Sequence, residues 1–243
     1  MGGLECKNCG KPYKQKKFTV ADVPKVLNIP DCDCEVKEQE QQEMARSKKR
    51  RSEILQGKFA NSLMTPLFKN YTFENVNLDK TEHIITCEKY VKDFSLNKSE
   101  GIAMIGNVGT GKSVALACIC NALISKGHNC LFTTMSALLD KFIESCDFDN
   151  DITIESLYRW VRQFDFVVLD DLGRETYTKK RLEIAFRIVD ELINYQKVIA
   201  FSANPETLEK IHNIPEFDAI RDRLAMACRL KLLFKGESYR RKI

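Results

Sequence analysis

The sequence predicts an α/β fold: a P-loop domain on a parallel sheet, preceded by a small cysteine-rich module and a connecting helix. Three observations carry that reading. Five short apolar runs (101–106, 130–135, 164–171, 197–204 and 229–234) alternate with stretches of helical pattern, as parallel strands joined by crossover helices do. The first run leads directly into a glycine-rich loop and then a helix, the order a phosphate-binding loop needs. Four of the ten cysteines crowd into the first 34 residues.

At 243 residues the chain is long enough for one or two domains with a real core. It is 44% hydrophobic and 30% charged, as soluble globular proteins are. The net charge of +4 permits a nucleic-acid partner without demanding one. No apolar run approaches a membrane span, and the start, MGGLECKNCG, lacks the apolar centre of a signal peptide. No membrane partner is expected. Cys87, Cys118, Cys120, Cys130, Cys146 and Cys228 lie in periodic apolar segments, where cysteine packs as a small hydrophobe. A reducing, cytoplasmic compartment follows.

Residues 1–34 hold Cys6-Lys-Asn-Cys9-Gly10 and Cys32-Asp-Cys34. Four thiolates suit tetrahedral zinc, and so short a segment has little core without a metal. The C-x-C pair is tighter than the usual spacing; a redox pair or free cysteines are the alternatives. With Phe18, Val20, Val23, Val26 and Leu27 beside the site, the module is expected to bind a partner rather than to catalyse. Residues 35–58 lack proline and are rich in Glu, Gln, Lys and Arg, so they read as a linker helix ending near Gly57. Its run Arg46-Ser-Lys-Lys-Arg-Arg51 is either a phosphate contact or a solvated face. The remaining domain is 59–243.

Gly106, Asn107, Val108, Gly109, Thr110, Gly111, Lys112 and Ser113 fit G-x-x-x-x-G-K-[ST], with Val114 following in the helix. Such a loop wraps phosphates with backbone N–H groups at a helix N-terminus. With ATP or ADP as the expected cofactor, Lys112 is expected to reach the β- and γ-phosphates, and the Ser113 hydroxyl to ligate magnesium. Asp170 and Asp171 end the apolar strand 164–171. Asp170 is suited to hold magnesium, and Asp171 to orient the attacking water.

The P-loop together with VVLDDLGRE, FSAN, AIRDRL and the terminal GESYRRKI resembles the AAA+ ATPases of the DnaC/DnaI helicase-loader family, over nearly all of 59–243. The DDLG-x-E run is shared with transposition-helper ATPases resembling IstB. The resemblance implies an AAA+ core, and with nine residues after LLF no C-terminal helical lid is expected. It implies that Asn204 senses the γ-phosphate, the alternative being a strand-ending turn before Pro205. It implies that Arg223, or Arg221, enters a neighbouring subunit's site, the alternative being an ion pair with Asp222, Asp218 or Glu216, and that Arg240 lies near the nucleotide. Such ATPases mostly carry Glu where this chain has Asp171, so hydrolysis is expected to be slow and stimulated by assembly or DNA, with Glu175 a second acidic candidate. Phe68, Tyr71 and Phe73 resemble a strap whose rings pack on the base or in the core. Thr134, Ser136 and Lys141 are candidates for contact with DNA.

The expected activity is ATP-dependent loading of a hexameric replicative helicase of the DnaB/DnaC type onto single-stranded DNA. The N-terminal module grips the helicase, and the AAA+ domains self-associate. The alternatives are an IstB-like transposition helper and a nucleotide-dependent inhibitor of helicase loading.

Overall fold

The structure is a computed structural model that describes residues 5–21, 23–76, 82–96, 100–145, 153–236 and 238. It divides into two compact units, 1–54 and 55–243.

In the first unit, β1 (Tyr13–Val20) and β2 (Val23–Pro30) form an antiparallel hairpin in register from Tyr13 opposite Pro30 to Val20 opposite Val23. The sequence pattern predicts no strands here. The alternation is obscured because lysines stand at apolar positions and the turn at Ala21, with φ 47°, lacks glycine. Helix α1 (Cys34–Asn61) begins in this unit and ends in the second. It runs through Gly57 rather than ending there. One interior glycine costs only about 1 kcal/mol, and Phe59 beyond it packs against a core.

The second unit is built in the order α2 (Pro66–Lys69), α3 (Glu82–Asp93), β3 (Ile102–Gly106), α4 (Lys112–Ser125), β4 (Cys130–Thr134), α5 (Met135–Glu144), α6 (Ile154–Val161), β5 (Phe166–Leu172), α7 (Lys179–Asn194), β6 (Val198–Ala203), α8 (Pro205–His212), a 3-10 turn at Pro215–Phe217, α9 (Asp218–Ala227) and β7 (Leu230–Phe234). All five apolar runs are strands of one parallel sheet ordered β4-β5-β6-β3-β7. The acidic strand β5 and the P-loop strand β3 therefore flank β6 and bring their C-terminal ends to one edge.

Strand alternation sends Ala103 to one side of the sheet and Ile102 and Met104 to the other. On the first side, α7 lays down Leu182, Ala185, Ile188, Val189 and Leu192, spaced as a helical stripe. Phe142 of α5 packs there against Tyr158 of α6, the rings tilted by 59° with centroids 4.7 Å apart. On the other side lies α4, whose sequence KSVALACICNALIS has no polar face; Ala115 through Cys120 are all buried. Its buried Asn121 donates through Nδ2 to the carbonyls of Phe68 (2.8 Å) and Tyr71 (2.7 Å). That pair of bonds ties the segment before α3 to the P-loop helix.

Candidate nucleotide and metal sites

The phosphate loop is shaped by close approaches. A Cβ at Gly106 would collide with the carbonyl oxygen of Phe234 and sit 2.8 Å from its Cβ. Gly106→Ala is therefore expected to destabilise the domain by roughly 1–3 kcal/mol through overpacking, read as a lower urea midpoint with unchanged slope. Gly111, at φ 95°, is the N-cap of α4 and offers no side chain to the helix's first N–H groups. Those donors are left for an anion, at the positive end of the helix dipole.

Lys112 is buried and its Nζ donates to the carbonyls of Gly106 (2.7 Å) and Asn107 (2.8 Å) and to Asn204 Oδ1 (3.0 Å). The ammonium thus spans the loop and the end of β6, joining residues 92 apart in sequence. Thr110 is buried and closes the loop by donating to the Asn107 carbonyl at 2.9 Å. Val108 is exposed, and Val114 half-buried in the first turn of α4.

The Ser113 hydroxyl donates to Asp170 Oδ1 at 2.9 Å, and the buried Ser202 hydroxyl donates to the same oxygen. Burial pushes the Asp170 carboxyl up, opposed by those two hydroxyls. An alcohol and a carboxylate oxygen in contact fit a hard divalent cation such as magnesium. Asp171 departs from regular strand geometry: its φ is +56°, and the β5–β6 register shifts between Leu169 and Leu172. A left-handed non-glycine residue costs about 1–3 kcal/mol and clusters at functional sites. The bulge turns Asp171 outward, its N–H donating to Ser202 Oγ at 2.9 Å and its carboxylate meeting Arg174 at 3.2 Å.

Glu175 lies next to these groups. Its Oε2 accepts from the Gly173 N–H (2.8 Å) and the Tyr177 hydroxyl (2.7 Å), while its Oε1 is buried with no partner among the described residues. Burial pushes the Tyr177 hydroxyl well up, so it remains a donor. Asn204 caps α8, its N–H donating to Thr207 Oγ1 at 3.2 Å. A cavity of about 1080 Å³ opens over these residues, with Asn107, Val108, Arg174, Glu175, Asn204 and Ser238 in its wall.

Sequence reasoning misses Ser202, Arg174 and Tyr177. Of these Ser202 carries a signal, a hydroxyl inside the apolar strand VIAFSA. Arg221 and Arg223 do not join this cluster. Arg221 is 2.9 Å from Asp218 and 2.7 Å from His212, while Arg223 pairs with Asp190 at 2.8 Å and stacks on Phe186. Arg240 lies outside the described residues. Phe68, Tyr71 and Phe73 pack against the core, Phe68 with its ring 5.0 Å from Phe132. Thr134 spends its hydroxyl on capping α5 at Ala137 N (3.1 Å), Ser136 is half-buried, and Lys141 lies over Trp160.

In the first unit the sulfurs of Cys6, Cys9, Cys32 and Cys34 all lie within 4.8 Å of one another. Tetrahedral zinc with sulfurs at about 2.3 Å separates them by just under 4 Å, so the set fits with small adjustment. The knuckle is closed by Cys6 N donating to Lys11 O and Gly10 N to Cys6 O, both 2.8 Å. The Asn8 backbone N–H, helped by the Cys32 thiol, brings Cys6 down to about 7, whereas the Cys9 and Cys32 sulfurs push Cys34 up to about 12. Crowded thiols resist losing further protons; a divalent cation removes that resistance.

A family model described as IstB-like ATP binding protein matches residues 36–243. The chain is 28% identical over 206 residues to the replicative helicase loader DnaC of Escherichia coli (strain K12), covering 82% of this chain and 81% of that protein. The crystal structure of the DnaC helicase loader superposes with a TM-score of 0.61 at 17% identity, over 70% of this chain and 100% of that one. That of DnaI gives 0.57 at 18% identity, over 72% and 94%. The expected α/β fold, a parallel sheet whose first strand leads into the glycine-rich loop, is the fold observed, and it is shared with DnaC and DnaI.

Proposed function

The chain belongs to the IstB-like ATP binding protein family, and from that premise we propose that it loads a hexameric replicative helicase onto single-stranded DNA. ATP serves as the switch between assembly and release. The observation that carries the reading is the joining, at one sheet edge, of Lys112 with Asn204 and of Ser113 with Asp170. Similarity to the DnaC loaders supports the choice of task.

In this reading the amides of 106–111 and Lys112 hold the ATP phosphates, and Ser113 and Asp170 hold magnesium, which neutralises phosphate charge when bound. Asp171 orients water, with Glu175 as the second acid, and Asn204 senses the γ-phosphate by exchanging its bond to Lys112. Arg223, or Arg221, leaves its acidic partner to complete a neighbour's site, which makes hydrolysis depend on self-association. Arg240 approaches the nucleotide. The four-cysteine module binds zinc and grips the helicase.

Slow turnover is expected of an isolated chain, because the Asp171 carboxylate is engaged by Arg174 and has to leave that contact to orient water. Both partners are partly exposed, so the pair is worth at most about 1 kcal/mol. Arg174→Ala is therefore expected to raise basal ATP hydrolysis up to about fivefold, and Asp171→Asn to remove it, in a phosphate-release assay.

The DDLG-x-E run and the IstB-like family match support one second reading, which we keep as the alternative: a helper ATPase of transposition. Tight binding to duplex DNA with no affinity for a helicase hexamer would select it.

A further inference from the structure

We infer that one face of the β1–β2 hairpin is a docking surface for an acidic amphipathic helix of a partner protein. The inference rests on the proposed gripping of the helicase by residues 1–34. Strand alternation in the observed register puts Lys14, Lys16, Phe18 and Val20 on one face, together with Ile29, Leu27, Lys25 and Val23 opposite them. Five of these eight are large apolar residues, and they are between 38% and 56% exposed. The opposite face holds Tyr13, Gln15, Lys17, Thr19, Pro24, Val26, Asn28 and Pro30, and Val26 is the one exposed large aliphatic side chain described on it.

A solitary two-stranded hairpin is marginal in water and gains nothing from an uncovered apolar face. Among the described residues nothing in its own unit covers it: α1 is exposed at every position from Val36 to Ile54. The cysteine cluster can secure the base of the hairpin, but it does not account for Phe18, Val20 and Val23 at the far end. That end is shaped to meet another surface.

The dimensions select the occupant. Each strand is eight residues long, about 26 Å at the usual rise, and the two strands with their side chains are about as wide as a helix, ~10 Å. A helix of roughly 17 residues would lie along this face. A partner strand added to a hairpin edge would satisfy backbone groups yet leave the apolar face in water. The charge selects its composition. Lys14, Lys16 and Lys25 share the face, and Lys14 alone has an acidic partner among the described residues, Asp31 at 2.8 Å. A helix with apolar residues at i, i+3, i+4 and i+7, flanked by Glu or Asp, complements the face.

The test is binding of the full, zinc-loaded chain to its cognate replicative helicase hexamer, measured by fluorescence anisotropy at two salt concentrations. Phe18→Ser combined with Leu27→Ser is expected to weaken affinity at least about tenfold, since buried apolar anchors dominate such interfaces. Lys16→Glu combined with Lys25→Glu is expected to weaken it about tenfold at low salt and less at high salt. Lys17→Glu, on the other face, is expected to change it less than about twofold. Zinc content and ATP affinity equal to the parent's show that each variant is folded. A photo-crosslinker at position 18 is expected to label an acidic helical segment of the helicase. Wild-type binding with undisturbed hairpin variants would overturn the docking face and leave the helicase reading standing. Crosslinking to a second copy, or to a basic segment, would also overturn it. Absence of any wild-type complex would remove the helicase reading and this inference with it.

Discussion

Lys112→Ala is expected to weaken ATP binding by about 100-fold, close to 2.7 kcal/mol, and to reduce hydrolysis below detection. Its ammonium reaches both the loop carbonyls and Asn204, so its removal takes the proposed phosphate ligand and its link to Asn204 together. Its removal also leaves the Gly106 carbonyl and Asn204 Oδ1 short of a buried donor, at a cost of about 1–3 kcal/mol in stability. A titration with fluorescent ATP, paired with thermal unfolding, separates these effects: the domain melts cooperatively but a few degrees lower, and nucleotide no longer raises its melting temperature. Unchanged ATP affinity in a folded variant would deny the loop its role.

A comparably large effect is expected from removing metal. Cys9→Ser with Cys34→Ser, or a zinc chelator, should unfold residues 1–34 and abolish the complex with a replicative helicase, while residues 55–243, which contain their own core, keep their ATP affinity. Metal binding of roughly 10–16 kcal/mol is, for so small a module, its folding energy. Light scattering of the mixed proteins with and without chelator reads the complex directly. A complex indifferent to the chelator would place the grip elsewhere.

The ATPase fold is largely legible in the amino-acid sequence. Apolar runs bounded by turn residues locate all five parallel strands, because strands covered on both faces read as short continuous apolar segments. The P-loop carries its own spacing, and the acidic strand ends where it has to. What is not legible depends on backbone geometry or on contacts across the fold. Arg174 and Tyr177 stand only three and two residues from Asp171 and Glu175, yet the pairings require the bulge that ends β5 and the turn at Gly173, which no local pattern announces. For Arg221 and Arg223 the sequence offers either entry into a neighbouring site or an ion pair with a nearby acid; Arg221 does meet Asp218, but Asp190, far along the chain on α7, is the partner of Arg223. The hairpin is hidden because its apolar pattern faces no core of its own: lysines at positions 14, 16 and 25 interrupt the alternation. That same conflict between pattern and burial makes the face informative.

ATP-dependent helicase loading can be measured as unwinding, by the cognate hexameric helicase, of an oligonucleotide annealed to a circular single strand, where no free end admits a closed ring. The wild-type chain with ATP is expected to start unwinding, and Lys112→Ala is not. Equal unwinding with Lys112→Ala, or none with the wild type when the helicase is active on linear DNA, would contradict the loading role.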